Sequence, residues 1–507
     1  MFTIKVSPSL LFNRINAEAN APELVENARA LQRCGMTLEP LGGQVTAPIN
    51  NSIRDIEGEL DTPGAIIPMF RPADIDGFFV NPDSAPKLDA AFEAVHEKAR
   101  VHPGDIVLAV AGTVAAAGRV PSWVAYGNVN GSCARIKPKP VVDGYLLAYL
   151  NSVYGFRSLM RLAVGSVQKH LNLEDLPEVA VPQPAASILS FIGDKVRQAE
   201  RLRSRVKTLQ SEAKAYFTLP GMDAVRIGEF RSYRATSAVV DSIRLDPKFY
   251  DPGHFKLQEL LRPHQPVPIR QLAMPVSLRW AREEPEFFYL EIGDLDLGSG
   301  LVKPTRLSTV DAPSRATTLV QPGDVLVSTV RPNRKNVGLV PKVGEPLPIV
   351  ASSGFSVLRF RSPEEAAFWV FWLRSDAATM QLMRWDAGSS YPAIDESVPL
   401  KVLVPRYADE VVREKGARWY QSFRAQALAE QLTTAAKLLV EALIEGKVTE
   451  AELVTAQETL ELGDDTADRA VLRRLTRHGL DVPGQPPLFP DLDALYALVA
   501  QTREEVQ

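Results

Sequence analysis

The sequence predicts a mixed α/β (α+β) protein built from two tandem units, each followed by a long helix. Three observations support this fold class. Landmarks recur in the same order in the two halves of the 507-residue chain. Within each half, short β-rich runs alternate with turns. After each half, apolar residues spaced three and four apart mark a long helix with one narrow apolar stripe.

The two halves share matched segments in the same order, which is typical of a tandem duplication. The pairs are Arg14–Asn16 with Arg244–Asp246, Pro103–Leu108 with Pro322–Val327, Gly165-Ser166 with Gly388-Ser389, and Val179–Pro182 with Val402–Pro405. A single shared tetrapeptide would carry no weight. Several matched segments in the same order indicate two copies of one unit.

The interior of each unit is predicted to mix strands and helices. The predicted strands are Asp105–Val110, Phe287–Ile292, Val325–Val330, Gly354–Phe360 and Lys401–Val404. The Pro-Gly-Asp tripeptide suits a tight turn that leads into a strand. Helices are predicted at Lys87–Arg100 and Pro363–Trp385, and we expect the tryptophans of the second to pack in the core.

Two long helices are predicted at Ser187–Phe217 and Tyr407–Glu445. Steps of three and four between apolar residues are typical of a coiled coil, and each helix would be ~45 Å or longer at ~1.5 Å per residue. The predicted seam positions are Leu202, Val206, Leu209, Leu428, Leu432 and Leu439. The helices can pair with each other, or each can pack on its own unit as an ordinary amphipathic helix.

Composition limits the class of protein. No apolar run reaches the ~18 residues of a membrane span, and the first residues lack the apolar core of a signal peptide. Cys34 and Cys133 cannot make a disulfide framework, so we expect a cytoplasmic protein. The net charge of −4 combines a segment 448–507 at −7 with a remainder at +3.

Sequence motifs of common enzymes are missing. The chain has no Asn/Asp-Pro-Pro-aromatic run, no Gly-x-Gly-x-x-Gly, no phosphate-binding Walker loop and no His-Glu-x-x-His. The six histidines are scattered rather than paired at metal-ligand spacing. We therefore predict no catalytic residues and no metal site, which fits a protein that binds rather than reacts.

The order of unit, helix, unit, helix resembles the specificity (S) subunits of type I restriction-modification systems. The segments GDVLVSTVRPNRKNVGLVP, SSGFSVLRF and GSSYPAIDESVPLKVLVP carry the resemblance in the second half. GDIVLAVAGTVAAAGRVP and GSVQKHLNLEDLPEVAVPQP carry a looser one in the first half. The resemblance covers roughly residues 10–447, and the acidic segment 448–507 has no counterpart in it.

The resemblance implies four parts of the chain, and the acidic segment outside the resemblance makes a fifth. These are target recognition domain 1 (1–184), a central coiled-coil helix (185–219), target recognition domain 2 (220–406), a C-terminal coiled-coil helix (407–447) and an acidic extension (448–507). In the family, each recognition domain reads one half of a split DNA site. The two helices form an antiparallel coiled coil that sets the distance between the domains.

The resemblance also implies partners. An S subunit is not catalytic and joins two DNA adenine methyltransferase (M) subunits, which use S-adenosylmethionine, and in a full complex restriction (R) subunits. The implied function is recognition of a bipartite, asymmetric double-stranded DNA site in restriction-modification or methylation-linked phage defence. No cofactor is expected in this chain. An autonomous enzyme with an unrecognised site and a protein-binding scaffold or DNA mimic remain the alternatives.

One basic loop is the strongest candidate for DNA contact. Arg331, Asn333, Arg334 and Lys335 follow a predicted strand, and Pro332 stiffens the loop. Arg can bind guanine O6 and N7 with two hydrogen bonds, and Asn can do the same for adenine N6 and N7. Arg and Lys can instead neutralise phosphates. A solvated, charged turn is the alternative interpretation.

Further candidates lie in the matching segments of both halves. They are Arg119, Lys137, Gln168, Lys169 and His170 in the first half, and Ser389, Ser390 and Tyr391 in the second. The turns at Gly165-Ser166 and Gly388-Ser389 let the backbone approach a ligand. The alternative is that these turns only align the last predicted strand of each unit. Lys137 can meet a phosphate or simply be solvated. The loop 111–119 of the first half carries one cation, whereas the basic loop of the second half carries three. We therefore expect the two halves to recognise different DNA sequences.

Overall fold

A computed structural model describes residues 18–51, 57–165, 167–229, 232–234, 240, 245–387 and 391–504. The chain forms two compact units, one made of 1–204 with 428–507 and the other of 205–427. Within the described residues, no helix has both the length and the apolar character needed to cross a membrane. Arg14–Asn16 and Arg244 of the matched segments lie outside the described residues.

The first unit contains two mixed sheets and the beginning of the first long helix. Its elements are α1 (Pro22–Arg33), β1 (Thr37–Pro40), β2 (Asn50–Asn51), β3 (Ile67–Phe70), β4 (Ile75–Asp76), β5 (Phe79–Val80), β6 (Lys87–Leu88), α2 (Ala90–Ala94), β7 (Arg100–Val101), β8 (Ile106–Ala109), β9 (Ala117–Arg119), β10 (Gly127–Val129), β11 (Cys133–Ile136), α3 (Asp143–Asn151), α4 (Val153–Leu162), β12 (Ala180–Gln183) and α5 (Ala186–Tyr216). One sheet has the order β6-β3-β10-β7 and the other the order β2-β11-β8-β9-β5-β4.

The second unit repeats this plan. Its elements are α6 (Pro252–Leu261), β13 (Val267–Pro268), β14 (Met274–Pro275), β15 (Glu286–Leu290), β16 (Thr305–Ser308), β17 (Ala316–Val320), β18 (Val325–Ser328), β19 (Val337–Leu339), β20 (Ile349–Ser352), β21 (Phe355–Arg359), α7 (Pro363–Leu373), α8 (Asp376–Met383), β22 (Leu403–Val404) and α9 (Asp409–Ile444). Its sheets have the orders β14-β21-β18-β19 and β16-β15-β20-β17.

Strand pairing shows the duplication directly. Each ladder of the second unit has a counterpart in the first with the same direction, among the residues that are described. The antiparallel ladders correspond as follows: β1·β12 with β13·β22, β2·β11 with β14·β21, β8·β11 with β18·β21, β8·β9 with β18·β19, β7·β10 with β17·β20, and β3·β6 with β15·β16. The ladder β3·β10 corresponds to β15·β20. Within this set, one ladder in each unit is parallel: β3·β10 in the first unit and β15·β20 in the second. The predicted fold class is confirmed.

In the second unit the two long helices run antiparallel. Arg205 Nη2 donates to Gln421 Oε1 at 2.9 Å, and farther along α5 Glu212 pairs with Arg418 at 2.7 Å. Still farther along α5, Lys415 Nζ of α9 lies 4.7 Å from the centre of the Tyr216 ring. Partner numbers on α9 fall as those on α5 rise, which defines the antiparallel direction.

The predicted seam positions are buried or half-buried. Leu202, Val206, Leu209, Leu432 and Leu439 are buried, and Leu428 is half-buried. In the core of the second unit, the ring centres of Phe368 and Trp419 lie 5.3 Å apart. Trp369 and Trp372 are buried, as expected for core residues. Trp385 is only half-buried.

Two predicted helices differ from the structure. Pro363–Trp385 is broken into α7 and α8 because Ser375 caps the second helix, accepting a hydrogen bond from the Ala378 N–H at 3.2 Å. Ser152 breaks α3 from α4 in the first unit in the same way. The prediction of a helix at Lys87–Arg100 was wrong. Its two ends join strands β6 and β7, and only Ala90–Ala94 is α-helical between them.

The acidic extension is folded. It contains α10 (Glu450–Glu461), α11 (Thr466–Arg473), the hairpin β23 (Leu475–Thr476) and β24 (Gly479–Leu480), and α12 (Leu492–Glu504). Leu453, Leu472 and Leu475 are among its buried side chains. A capping box at Thr449 and Glu452 begins α10. The extension belongs to the first unit.

Candidate nucleic-acid interface

In each unit the structure joins the two loops singled out from the sequence. In the first unit Ala111 forms a β-bridge with His170, and in the second Val330 forms the corresponding bridge with Ala393. The next hydrogen bond is repeated too: Leu171 N–H donates to Val110 O at 2.8 Å, and Ile394 N–H donates to Thr329 O at 2.9 Å. The loop after β8 or β18 and the loop after α4 or α8 therefore form one surface in each unit.

The basic loop of the second unit has an unusual backbone. Arg331 and Lys335 both adopt left-handed conformations, with φ of 50° and 57°, on either side of the 3-10 turn Pro332–Arg334. A non-glycine residue pays roughly 1–2 kcal/mol for this conformation. Hydrogen bonds hold it in place, including one from Arg331 N–H to Pro392 O at 2.7 Å. The backbone of the loop is therefore tied to the neighbouring segment that contains Pro392.

Arg331 is stacked on Tyr391. Its guanidinium carbon lies 4.5 Å from the centre of the ring, and Tyr391 is 66% exposed. Such a contact contributes ~0.5–1 kcal/mol at an exposed site. Because a guanidinium carries its N–H donors in its plane, stacking orients them while leaving the edge available to an acceptor.

The other side chains of this loop differ in environment. Asn333 and Arg334 are exposed, whereas Asn336 is buried. Lys335 Nζ lies 2.6 Å from Asp376 Oδ1 at the start of α8. A half-exposed pair of this kind contributes ~0–1 kcal/mol. The pair reduces the positive charge of the loop and fixes its end to α8.

The corresponding loop of the first unit also contains two left-handed residues, but it is shorter and carries different side chains. Gly112 and Ala115 take the left-handed positions, with φ of 75° and 71°. By the β-bridges, Gly112 corresponds to Arg331. The uncharged segment 113–116 lines a cleft of about 540 Å³ together with Asn151, Phe156 and Lys437.

The second loop of the first unit is a tight turn with an exposed tip. Val164 and His170 exchange two backbone hydrogen bonds of 2.8 Å. A Cβ at Gly165 would lie 2.2 Å from Gln168 O, so the turn needs glycine there. Gln168, Lys169 and His170 are exposed and can reach a ligand.

Arg119 lies inside the first unit, which argues against the prediction that it contacts DNA. Its Nε is 3.0 Å from Glu200 and its Nη1 is 2.8 Å from Asp143, and the residue is 9% exposed. Burial disfavours its charge, but Glu200 and Asp143 outweigh burial and raise the pKa of Arg119. Arg119, held by two carboxylates, joins β9 to α3 and α5, and most of its surface is buried.

The remaining predicted residues have varied positions. Lys137 is half-buried at the end of β11. Ser389 and Ser390 lie outside the described residues. Asp376 and Lys437 adjoin the two loops but were not singled out from the sequence. Both follow ordinary helical patterns, and no local motif marks them. Among the described residues, no group of three or more His, Cys, Asp or Glu could hold a metal ion.

Three aspartates that follow strands of the two units have structural roles. Asp74 accepts hydrogen bonds from the Arg71 N–H at 2.9 Å and from its guanidinium, and Asp294 accepts one from the Glu291 N–H at 2.8 Å. These contacts cap equivalent 3-10 turns in the two units. Asp296 accepts from Gly298 N–H. Asp74, Asp294 and Asp296 therefore stabilise turns.

Solved structures similar to this chain include type I restriction-modification proteins. The S subunit from M. genitalium is 13% identical, with 84% of this chain and 95% of that chain covered and a TM-score of 0.34. A structure of type I R-M complex assembly and conformational transition is 15% identical, with 83% and 97% covered and a TM-score of 0.26.

The HsdS subunit from Thermoanaerobacter tengcongensis is 16% identical, with 82% of this chain and 97% of that chain covered and a TM-score of 0.27. No protein-family profile and no curated protein matches the sequence. At these identities and TM-scores, the function rests on the geometry of this chain's own loops.

Proposed function

We propose that the chain is a non-catalytic DNA sequence-recognition subunit that binds a bipartite, asymmetric site and directs partner adenine methyltransferase subunits to it. The observation that carries the proposal is the repeated pair of joined loops, one pair in each unit. Two copies of one loop-bearing unit suit two half-sites.

The different side chains on the corresponding loops of the two units support an asymmetric target. Arg331 and Arg334 are basic where the first unit has Gly112 and small or apolar residues. The first unit instead presents Gln168 and Lys169 on the partner loop. Gln suits adenine N6 and N7, and Arg suits guanine O6 and N7. The two half-sites would therefore be read by different side chains.

Roles within the second unit follow from the geometry. Arg331, stacked on Tyr391, is oriented for a base edge, where bidentate contact gives ~1–3 kcal/mol of discrimination. Arg334 is exposed and suits a phosphate, which adds affinity without specificity. Asn333 is a second candidate for a base edge. Lys335 is bound to Asp376 and acts first to fix the loop.

The experiment is to map methylated adenines by sequencing after co-expression with the methyltransferase encoded beside this gene. A split, asymmetric motif is the expected result, and methylation with no motif would contradict the proposal. Methyl transfer by the isolated chain would favour an autonomous enzyme instead. S-adenosylmethionine is expected in the methyltransferase partner, and a restriction subunit can join the same complex.

A matched pair of variants links the motif to the loops. Arg331→Ala is expected to relax the motif in one half only, leaving the other half unchanged. Arg473→Ala, at an exposed position of the extension, is the control and should leave both halves intact. An unchanged motif in Arg331→Ala would remove Arg331 from base recognition.

A further inference from the structure

One turn of the first unit carries a fully exposed apolar side chain at its tip. Val167 is 100% exposed, and it lies on the turn between Val164 and His170 described above. Single exposed apolar side chains are ordinary on protein surfaces. Exposure alone therefore assigns no role to Val167, whereas its position on this turn does.

The backbone presents Val167 on a closed turn. The two hydrogen bonds that Val164 and His170 exchange close the turn, and Gly165 has a left-handed φ of 100°. The β-bridge between Ala111 and His170 ties the turn to the loop after β8. A valine side chain has few rotamers, because its Cβ is branched. Little conformational freedom is therefore lost when the isopropyl group of Val167 meets a ligand.

The surroundings of Val167 indicate the kind of partner. Gln168 and Lys169 beside it are exposed, and neither the turn 164–170 nor the loop 111–118 contains an acidic residue. A cation and an amide in this setting suit nucleic acid, since Lys can meet a phosphate and Gln can meet a base edge. The base edges in the major groove of DNA offer apolar surface at one group, the C5 methyl of thymine.

The duplication adds a comparison with the second unit. Gly165-Ser166 matches Gly388-Ser389, so Val167 matches Ser390. Ser390 lies outside the described residues, but a serine hydroxyl can exchange hydrogen bonds with a base or a phosphate. An isopropyl group can exchange none. The two copies of this position therefore differ in chemistry, apolar in the first unit and polar in the second.

We propose that Val167 packs against the C5 methyl group of a thymine in the half-site bound by the first unit. The inference rests on the proposed function and extends it, because it assigns one thymine to a named side chain. Thymine pairs with adenine, and Gln168 is the neighbouring candidate for reading adenine. The half-site of the first unit is therefore expected to contain an A·T pair whose methyl group contributes to affinity.

The first test removes the methyl group from the DNA. After the methylated motif has been mapped, each of its thymines is replaced in turn by deoxyuridine, which lacks only the C5 methyl group. Fluorescence anisotropy measures DNA affinity with the full chain and its methyltransferase partners. One replacement is expected to weaken binding about fourfold, the effect of exposing one buried methyl group. That thymine should lie in the half of the motif that Arg331→Ala leaves unchanged.

The second test removes the apolar side chain from the protein. Val167→Ala should weaken binding to the thymine duplex by a similar factor. It should also no longer respond to that deoxyuridine replacement, because the two partners of one contact are coupled. Val95→Ala, at a 76% exposed valine of the same unit, is the control and should bind and respond like the wild-type chain.

The possible outcomes separate this inference from the proposed function. A split motif with no thymine in that half, or with no response to deoxyuridine, would overturn the contact with a methyl group. An equal response in the wild-type chain and Val167→Ala would overturn its assignment to Val167. Both results leave DNA recognition by the chain intact, whereas methylation without any motif would overturn the proposed function and this inference together.

Discussion

Arg331 occupies a backbone position that favours glycine. Its counterpart Gly112 has the same left-handed conformation without a side chain to strain it. Strained residues are concentrated at binding and catalytic sites. The arginine is thus retained at a cost to folding, and its contact with Tyr391 places it on the surface shared by the two loops.

Arg331→Gly is expected to separate stability from binding. Relief of the left-handed strain offsets the lost ring contact and the extra flexibility of glycine, so the free energy of unfolding should change by less than about 1 kcal/mol. DNA affinity should fall about 10-fold with a shallower salt dependence. Urea unfolding and fluorescence anisotropy across a salt series measure both. Unchanged affinity and slope would show that Arg331 does not contact DNA.

His254 makes the stability of the second unit depend on pH. It is 3% exposed, and burial, assisted by Arg384, lowers its pKa to about 4. The unfolded chain has a histidine pKa of ~6.5 and binds the proton first. Stability is therefore complete above pH 6.5 and is lost as the pH falls toward 4, by roughly 3 kcal/mol.

The measurement is the midpoint of urea unfolding at pH 7 and pH 4.5. His254→Gln is expected to remove most of the difference between the two pH values that the histidine causes. The control is His264→Gln, a substitution of the same kind at an exposed position. Equal pH dependence in the wild-type chain and His254→Gln would contradict the assignment.

At the scale of residues, the sequence located the two loops but not the state of each charge. Glycines and clustered cations are visible in a local segment. The carboxylates that surround Arg119 come from Asp143 and Glu200, which are brought to it only by the fold. The ion pair between Lys335 and Asp376 was missed for the same reason.

At the scale of elements, Arg119 ties β9 to two helices. Arg119→Ala would leave Asp143 and Glu200 without this partner in a largely buried site, and breaking such a pair costs about 3–5 kcal/mol. We expect a lower thermal midpoint but unchanged DNA affinity at a temperature where the variant is folded. Calorimetry and anisotropy test this, with exposed Arg262→Ala as the control. Loss of affinity in folded Arg119→Ala would restore Arg119 to the interface.

Long elements were easier to predict than short ones. The spacing of apolar residues predicted both long helices to within a few residues of α5 and α9. The segment Lys87–Arg100 has helix-forming residues, but its ends pair with β3 and β10 in a sheet. Pairing with distant strands overrides local helix propensity.

At the scale of the whole molecule, charge is divided unevenly. The extension carries −7, and its folded state keeps several carboxylates at the surface, including Glu458 and Glu461. Its docking through the ion pair of Asp468 with Lys195 could not be predicted, because Lys195 is distant in the sequence and lies within an apparent coiled-coil helix. The sequence predicted an acidic appendage but not the surface that receives it.

Glu458→Gln with Glu461→Gln is expected to strengthen non-specific DNA binding about twofold at low salt, since two charges that repel phosphate are removed. The difference should vanish near 0.5 M salt, roughly, where exposed charges are screened. Filter binding with DNA of random sequence measures it. A difference that persists at high salt would point to altered folding instead of charge.

The shared left-handed backbone at Gly112 and Arg331 has a consequence for inheritance. Glycine and arginine codons can differ by a single base, and in both units the residue two positions earlier, Val110 or Thr329, accepts the same backbone hydrogen bond from the neighbouring loop. A point mutation can therefore add or remove a guanidinium without rebuilding the scaffold. Two copies of such a loop would let a lineage change one half of its target while the other half stays in use.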